Sequence, residues 1–190
     1  DRHLPERAQQ TALLFEPDDP KKWGQKITYQ MLFDEVVKFA NVLKKNGIKK
    51  GDCVTIYMPM IPEAVYAMLA CARIGAMHSV IFGGFAPDSI IDRIVDCDSH
   101  YVITANEGVR GGKIIPLKNT MDHALEKIPD QVKKVIVVQH TDGQVQMKPL
   151  RDVWFHIESQ GVSKTCEPER MNSEDPLFIL YTSGSTNKPK

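Results

Sequence analysis

The chain has 190 residues, with 24 Lys and Arg against 24 Asp and Glu, so its formal net charge is zero. That length is enough for one domain with a real core, and a hydrophobic share of 42% argues against disorder. Balanced charge implies no general attraction to polyanions, so neither nucleic acid nor an anionic membrane is an expected partner, and any phosphate must be held by local loops.

Residues 11–16 form a short apolar run that reads as a strand. Residues 17–25 (PDDPKKWGQ) read as a loop from their Pro, Asp and Gly content. From Thr28 the pattern turns helical. Leu32, Val36, Phe39, Ala40 and Leu43 share one face, with Thr28 as N-cap and Gly47 as stop. Residues 53–58 (CVTIYM) predict a buried strand. Pro62 opens a helix over 63–74 that is apolar on more than one side and ends at Gly75.

A strand at 77–82 leads into Gly83-Gly84 and a helix over 87–96. There follow a strand at 101–104, a helix at 116–127, a strand at 132–138 and a helix near 150–158. A polar connector over 160–175 reaches a last apolar run at 177–181. Helices alternating with strands at this rhythm predict an α/β fold with a largely parallel sheet, whose ligands bind beyond the strand C-termini.

The four cysteines form no CxxC pair, and three lie in apolar runs, which predicts free thiols in a reducing compartment. The six histidines are scattered, so no protein-bound metal is expected. His78 reads as a satisfied core or interface histidine, and Trp23 and Trp154 as packing residues. The first residues, DRHLP, lack the apolar core of a signal peptide, and no apolar run approaches the roughly 20 residues of a membrane helix. The cytoplasm is the expected location.

The chemistry concentrates in the last ten residues: Tyr181, Thr182, Ser183, Gly184, Ser185, Thr186, Asn187, Lys188, Pro189 and Lys190. A strand running into small, hydroxylated residues and two lysines suits phosphate. Backbone N–H groups approach the oxygens, hydroxyls add donors and lysine supplies charge. It is not a Walker A loop. Two further stretches are candidates. Phe82-Gly83-Gly84-Phe85 opens backbone to a ligand between aromatic rings at a strand end. Arg110-Gly111-Gly112-Lys113 reads as a flexible basic loop, able to stack on a base and pair with phosphate. From residue chemistry alone, a simple tight turn is an equally open reading of the first, and an ordinary surface loop is the favoured reading of the second.

The terminal string resembles the signature phosphate loop of the adenylate-forming superfamily: Ser or Thr, Ser-Gly, Ser or Thr, Thr-Gly, any residue, Pro-Lys. It departs where Asn187 stands for Gly. Residues 57–85, 110–118 (RGGKIIPLK), 174–182 (EDPLFILYT) and the opening DRHL are similar to the acetyl-CoA synthetase branch of that superfamily. The resemblance spans essentially the whole chain.

It implies the N-terminal portion of the large adenylating domain, ending at the phosphate loop. It also implies ATP, carried with Mg²⁺, coenzyme A, and acetate or another short carboxylate as substrates. Thr182, Ser183, Gly184, Ser185, Thr186, Asn187, Lys188 and Lys190 would face the ATP phosphates. Phe82, Gly83 and Gly84 would line the coenzyme A nucleotide site. Arg110, Gly111, Gly112 and Lys113 would meet its adenine and 3′-phosphate, with Lys113 standing where the family commonly has Arg. No residue of this stretch is implied as catalytic. The isolated 190 residues are expected to be inactive, since the family's acyl pocket, hinge and adenylation lysine lie downstream. A propionyl-CoA or other short-chain synthetase, and a non-catalytic nucleotide- or coenzyme-A-binding piece, remain alternatives.

Overall fold

A computed structural model describes residues 1–182. After a single helical turn, α1 (Leu4–Arg7), the chain forms a hairpin of β1 (Thr11–Phe15) and β2 (Gln25–Thr28), paired antiparallel from Leu13↔Ile27 to Phe15↔Gln25. The loop expected over 17–25 is therefore a hairpin connection whose last residue already belongs to β2.

The helix α2 (Tyr29–Lys45) begins where its N-cap signal lies: the Thr28 hydroxyl accepts the Met31 N–H at 3.2 Å. It buries Val36, Val37, Phe39, Ala40, Val42 and Leu43 on one face, each side chain larger than alanine contributing about 1.5–3 kcal/mol. Its end is a Schellman motif. Gly47, at φ +87°, donates to the Lys44 carbonyl, and Ile48 donates to the Leu43 carbonyl.

The central strand β3 (Cys53–Met58) is buried along its whole length. It is followed by α3 (Pro62–Arg73), β4 (Met77–Phe82), α4 (Pro87–Asp96) and β5 (Tyr101–Ala105). Next come the short β6 (Gly108–Arg110) and β7 (Lys113–Ile115), then α5 (Leu117–Glu126) and β8 (Lys134–Val138). The edge elements are β9 (Asp152–Trp154), the turn α6 (Phe155–Glu158) and β10 (Phe178–Ile179).

Six strands make one sheet in the order β10-β4-β3-β5-β8-β9, with every neighbouring pair parallel. The chain runs from β3 to β4 and then crosses back to β5 on the other side of β3. Right-handed crossovers in opposite directions put α3 and α4 on opposite faces; α3 packs against α2, and α4 against α5. The α/β class and parallel sheet are as the sequence predicts.

Two elements differ from expectation. The helix near 150–158 is instead the strand β9 followed by one helical turn. Leu150 sits at φ +68°, a backbone no helix accommodates, and the β-branched Val153 lies in register beside Ile136. The expected flexible loop at 110–113 is the tip of the β6–β7 hairpin, in register Arg110↔Lys113.

Candidate functional site

A cavity of about 580 Å³ opens beyond the C-terminal ends of β3, β4 and β5, where the strand order reverses. Open parallel sheets place ligands there. Its floor is Met58 to Ile61 and Phe82 to Gly84; one wall is Gly108 to Arg110 with Ile115; the other is the β1–β2 loop, including Asp18, Lys22 and Trp23. A volume between about 300 and 1,000 Å³ is the size of an ordinary small-molecule site.

Phe82 ends β4 with half its surface exposed, and its ring meets Phe85 edge-on at 6.1 Å. Gly83 is buried. A Cβ there would come within 3.2 Å of the Met58 carbonyl and 3.3 Å of Leu117, so a side chain would need both to give by a few tenths of an ångström. Gly84 is exposed, and a Cβ would lie 3.0 Å from the Phe82 ring. The glycines thus serve close approach: they keep the floor flat and the Phe82 ring uncovered. Tyr57 donates its hydroxyl to the Phe85 carbonyl at 3.2 Å and so fastens the loop to β3.

Arg110 reaches this floor from the hairpin, its guanidinium carbon 5.2 Å from the Phe82 ring centroid. Gly111 and Gly112 form the two-residue turn with φ of +58° and +72°, the pair of positive values a type I′ hairpin requires. Lys113 pairs across the turn from Arg110 and is exposed. The structure therefore brings Phe82, Gly83, Gly84 and Arg110 to one cavity, with Gly111, Gly112 and Lys113 at its rim-forming hairpin.

The hairpin is tied down by a residue that sequence reading passed over. The Asp18 carboxylate accepts the Gly111 N–H at 2.7 Å and the Gly112 N–H at 2.8 Å. Those N–H groups, Gly112 foremost, hold its carboxyl below the usual range. Trp23 was expected to pack; it is 94% exposed at the mouth of the cavity. Trp154 does pack, half-buried against the core. Within the loop 17–25 only turn residues carried a signal, and nothing in PDDPKKWGQ foretold which distant backbone Asp18 would meet.

Thr182 is described and exposed at the end of the strand-like run. The phosphate-loop candidates Ser183, Gly184, Ser185, Thr186, Asn187, Lys188 and Lys190 lie outside the described residues. The root of that loop is fixed: β10 pairs with β4 through Phe178↔His78 and Ile179↔Ser79, and the Tyr181 hydroxyl donates to Asp96 at 2.6 Å. Arg93 lies over both the Phe85 and Tyr181 rings, at 4.6 and 5.4 Å, linking the loop after β4 to the root of the terminal loop. His78 differs from expectation: its Nδ1 is buried without a hydrogen-bond partner while its ring lies 5.8 Å from Phe178. Burial pushes its pKa down, which favours the neutral ring.

Cys53, Cys71 and Cys166 are buried free thiols, and Cys97 is half-buried. Among the described residues no helix is long and apolar enough to cross a membrane.

The AMP-binding enzyme family matches residues 1–190. An acetyl-coenzyme A synthetase of Parvibaculum lavamentivorans is 67% identical over 190 residues, covering all of this chain and 29% of that protein. The acetyl-coenzyme A synthetase of Bdellovibrio bacteriovorus is 61% identical over the same length, again 29% of that protein. In three dimensions the chain is similar to an acetoacetyl-CoA synthetase from Streptomyces lividans, with a TM-score of 0.86 and 25% identity over 99% of this chain and 28% of that one. The chain thus spans less than a third of the proteins it matches.

Proposed function

The chain belongs to the AMP-binding enzyme family, and from that premise we propose that it is the N-terminal part of an AMP-forming acetate–CoA ligase. The complete protein joins a carboxylate oxygen of acetate to the ATP α-phosphate, releasing pyrophosphate. The coenzyme A thiol then attacks the acyl carbon of the adenylate and expels AMP. Identity of 59–67% to acetyl-coenzyme A synthetases along the whole chain supports acetate over other short carboxylates.

The observation that carries the reading is the cavity itself. A cation stacked on Phe82, a side-chain-free floor at Gly83 and Gly84, and an exposed ring at Trp23 make a surface for a nucleotide, which offers a flat base and a charged phosphate. In this reading Phe82, Gly83, Gly84 and Arg110 receive the coenzyme A nucleotide, with Lys113 at the rim and Gly111 and Gly112 forming the turn that carries both basic side chains. The loop from Thr182 to Lys190 receives the β- and γ-phosphates of ATP, with Mg²⁺ entering on the nucleotide. The first half-reaction asks of this chain positioning and charge neutralisation rather than covalent chemistry. Four unpaired thiols suit the reducing cytoplasm.

The test is acetate-dependent exchange of pyrophosphate into ATP by the full-length protein, with propionate and no acid as controls. Exchange strongest with acetate is expected. Exchange strongest with propionate would move the assignment to another short-chain synthetase, and none with any acid in a folded protein would leave only a binding scaffold.

A further inference from the structure

Two consecutive backbone N–H groups at the tip of a positive-φ turn converge on one point and make an anion site. At Gly111 and Gly112 that site is already filled from within the chain. The Asp18 carboxylate, 93 residues earlier, takes one N–H on each oxygen, at 2.7 and 2.8 Å. The carboxylate is exposed and held ionised by the same N–H groups. Two consequences follow. The turn tip is closed to a ligand's phosphate, so the anion contact falls to the side chains of Arg110 and Lys113. The turn is also fixed in direction, because a bidentate contact removes the rocking freedom of a two-stranded hairpin only three residues long on each side.

We propose that Asp18 is a positioning residue for the coenzyme A half-reaction: it clamps the β6–β7 turn so that Arg110 stays stacked over Phe82. This rests on the coenzyme A reading of the cavity given above. The clamp belongs to function more than to folding. Without Asp18 both glycine N–H groups face solvent and water replaces the carboxylate, so no buried polar group is orphaned and little stability is lost. What is lost is the orientation of a loop that touches the ligand.

The full-length protein is compared with its Asp18→Ala and Asp18→Asn variants. Three quantities are measured: acetate-dependent pyrophosphate exchange, the KM for coenzyme A and for 3′-dephospho-coenzyme A, and the calorimetric Kd of coenzyme A. Asp18→Ala is expected to raise the coenzyme A KM and Kd about five- to tenfold, with kcat and exchange unchanged. Asp18→Asn, which keeps one acceptor oxygen, should fall between. The dephospho compound should lose less, since it lacks the group that Arg110 and Lys113 are aimed at. An unchanged Kd would overturn the clamp. A tighter Kd would also overturn it, by showing that Asp18 competes with the ligand for the N–H pair. Wild-type protein that binds coenzyme A but shows no exchange would sink the ligase reading alone, while the Kd comparison still decides the clamp. Wild-type protein that binds no coenzyme A would sink both.

Discussion

Lys118 and Asp152 meet at 2.8 Å with both side chains wholly out of solvent. Lys118 lies in the first turn of α5 and Asp152 opens the edge strand β9, so the pair ties a helix to the end of the sheet. The same ammonium donates to Asp122 at 2.6 Å and to the Gln146 carbonyl at 3.0 Å, while Arg151 pairs with both aspartates. A buried ammonium is tolerated only when its protons are all placed, as here.

Removing that ammonium leaves two carboxylates sharing one Arg151. Lys118→Met is expected to destabilise the fold by about 3–5 kcal/mol, read from urea unfolding. Lys118→Met combined with Asp152→Leu should recover part of the loss. A single variant within 1 kcal/mol of wild type, about the effect of an exposed pair, would mean the network is solvated.

Asp152 also sets an acid limit. Burial pushes its carboxyl up, but hydrogen bonds from Arg151, Lys118 and the Lys148 N–H outweigh that and bring it below the usual range. A carboxylate whose folded value lies below its unfolded value of about 3.9 stabilises fully above that pH and loses its contribution as pH falls through the folded value. Stability should therefore drop below about pH 4, and in Asp152→Asn that part of the drop should disappear. The measurement is unfolding free energy from pH 2 to 6.

The thiols should separate by reactivity. Cys71 is fully buried and pushed up to about 12. Cys97 is brought below its ordinary value, chiefly by the neighbouring Cys53 thiol, with burial opposing and the Ser99 N–H adding to it. Alkylation with iodoacetamide followed by peptide mass spectrometry should mark Cys97 first and Cys71 last. The reverse order would contradict the burial of Cys71 on α3 and the partial exposure of Cys97 at the end of α4.

Arg110→Ala in the full-length protein should raise the coenzyme A KM about tenfold while pyrophosphate exchange stays nearly intact, the expected loss of a cation stacked at a partly exposed ring. Equal damage to both half-reactions would remove Arg110 from the coenzyme A side.

Asn187→Gly should tighten ATP binding, because Gly permits closer backbone approach and left-handed φ without a Cβ. Equilibrium binding of ATP to the full-length pair decides it; an equal or weaker affinity would refute the expectation.

Patterns that depend on neighbours in the chain were readable. The face of α2, its Thr28 cap and Gly47 stop, the buried run of β3 and the Pro62 start of α3 all follow from spacing within a few residues. So did Phe82-Gly83-Gly84 and Arg110 as candidates, since strand ends followed by glycines and basic turns carry a local chemical signal. The short strands β2, β6, β7 and β9 were not readable. Three or four residues hold no period, and each becomes a strand only because a partner lies beside it, as Val153 does beside Ile136.

By itself, then, the sequence determined the alternating α/β order and the parallel sheet, because these are sums over local preferences, and it offered loop chemistry suited to phosphate as an expectation. Only the tertiary structure decided that Arg110 lies over Phe82, that Asp18 closes the Gly111–Gly112 turn, that Trp23 faces solvent, and that Lys118 is buried among aspartates. Those are meetings of segments far apart in the chain. They depend on where the sheet carries each loop, and that is settled by packing the whole core at once.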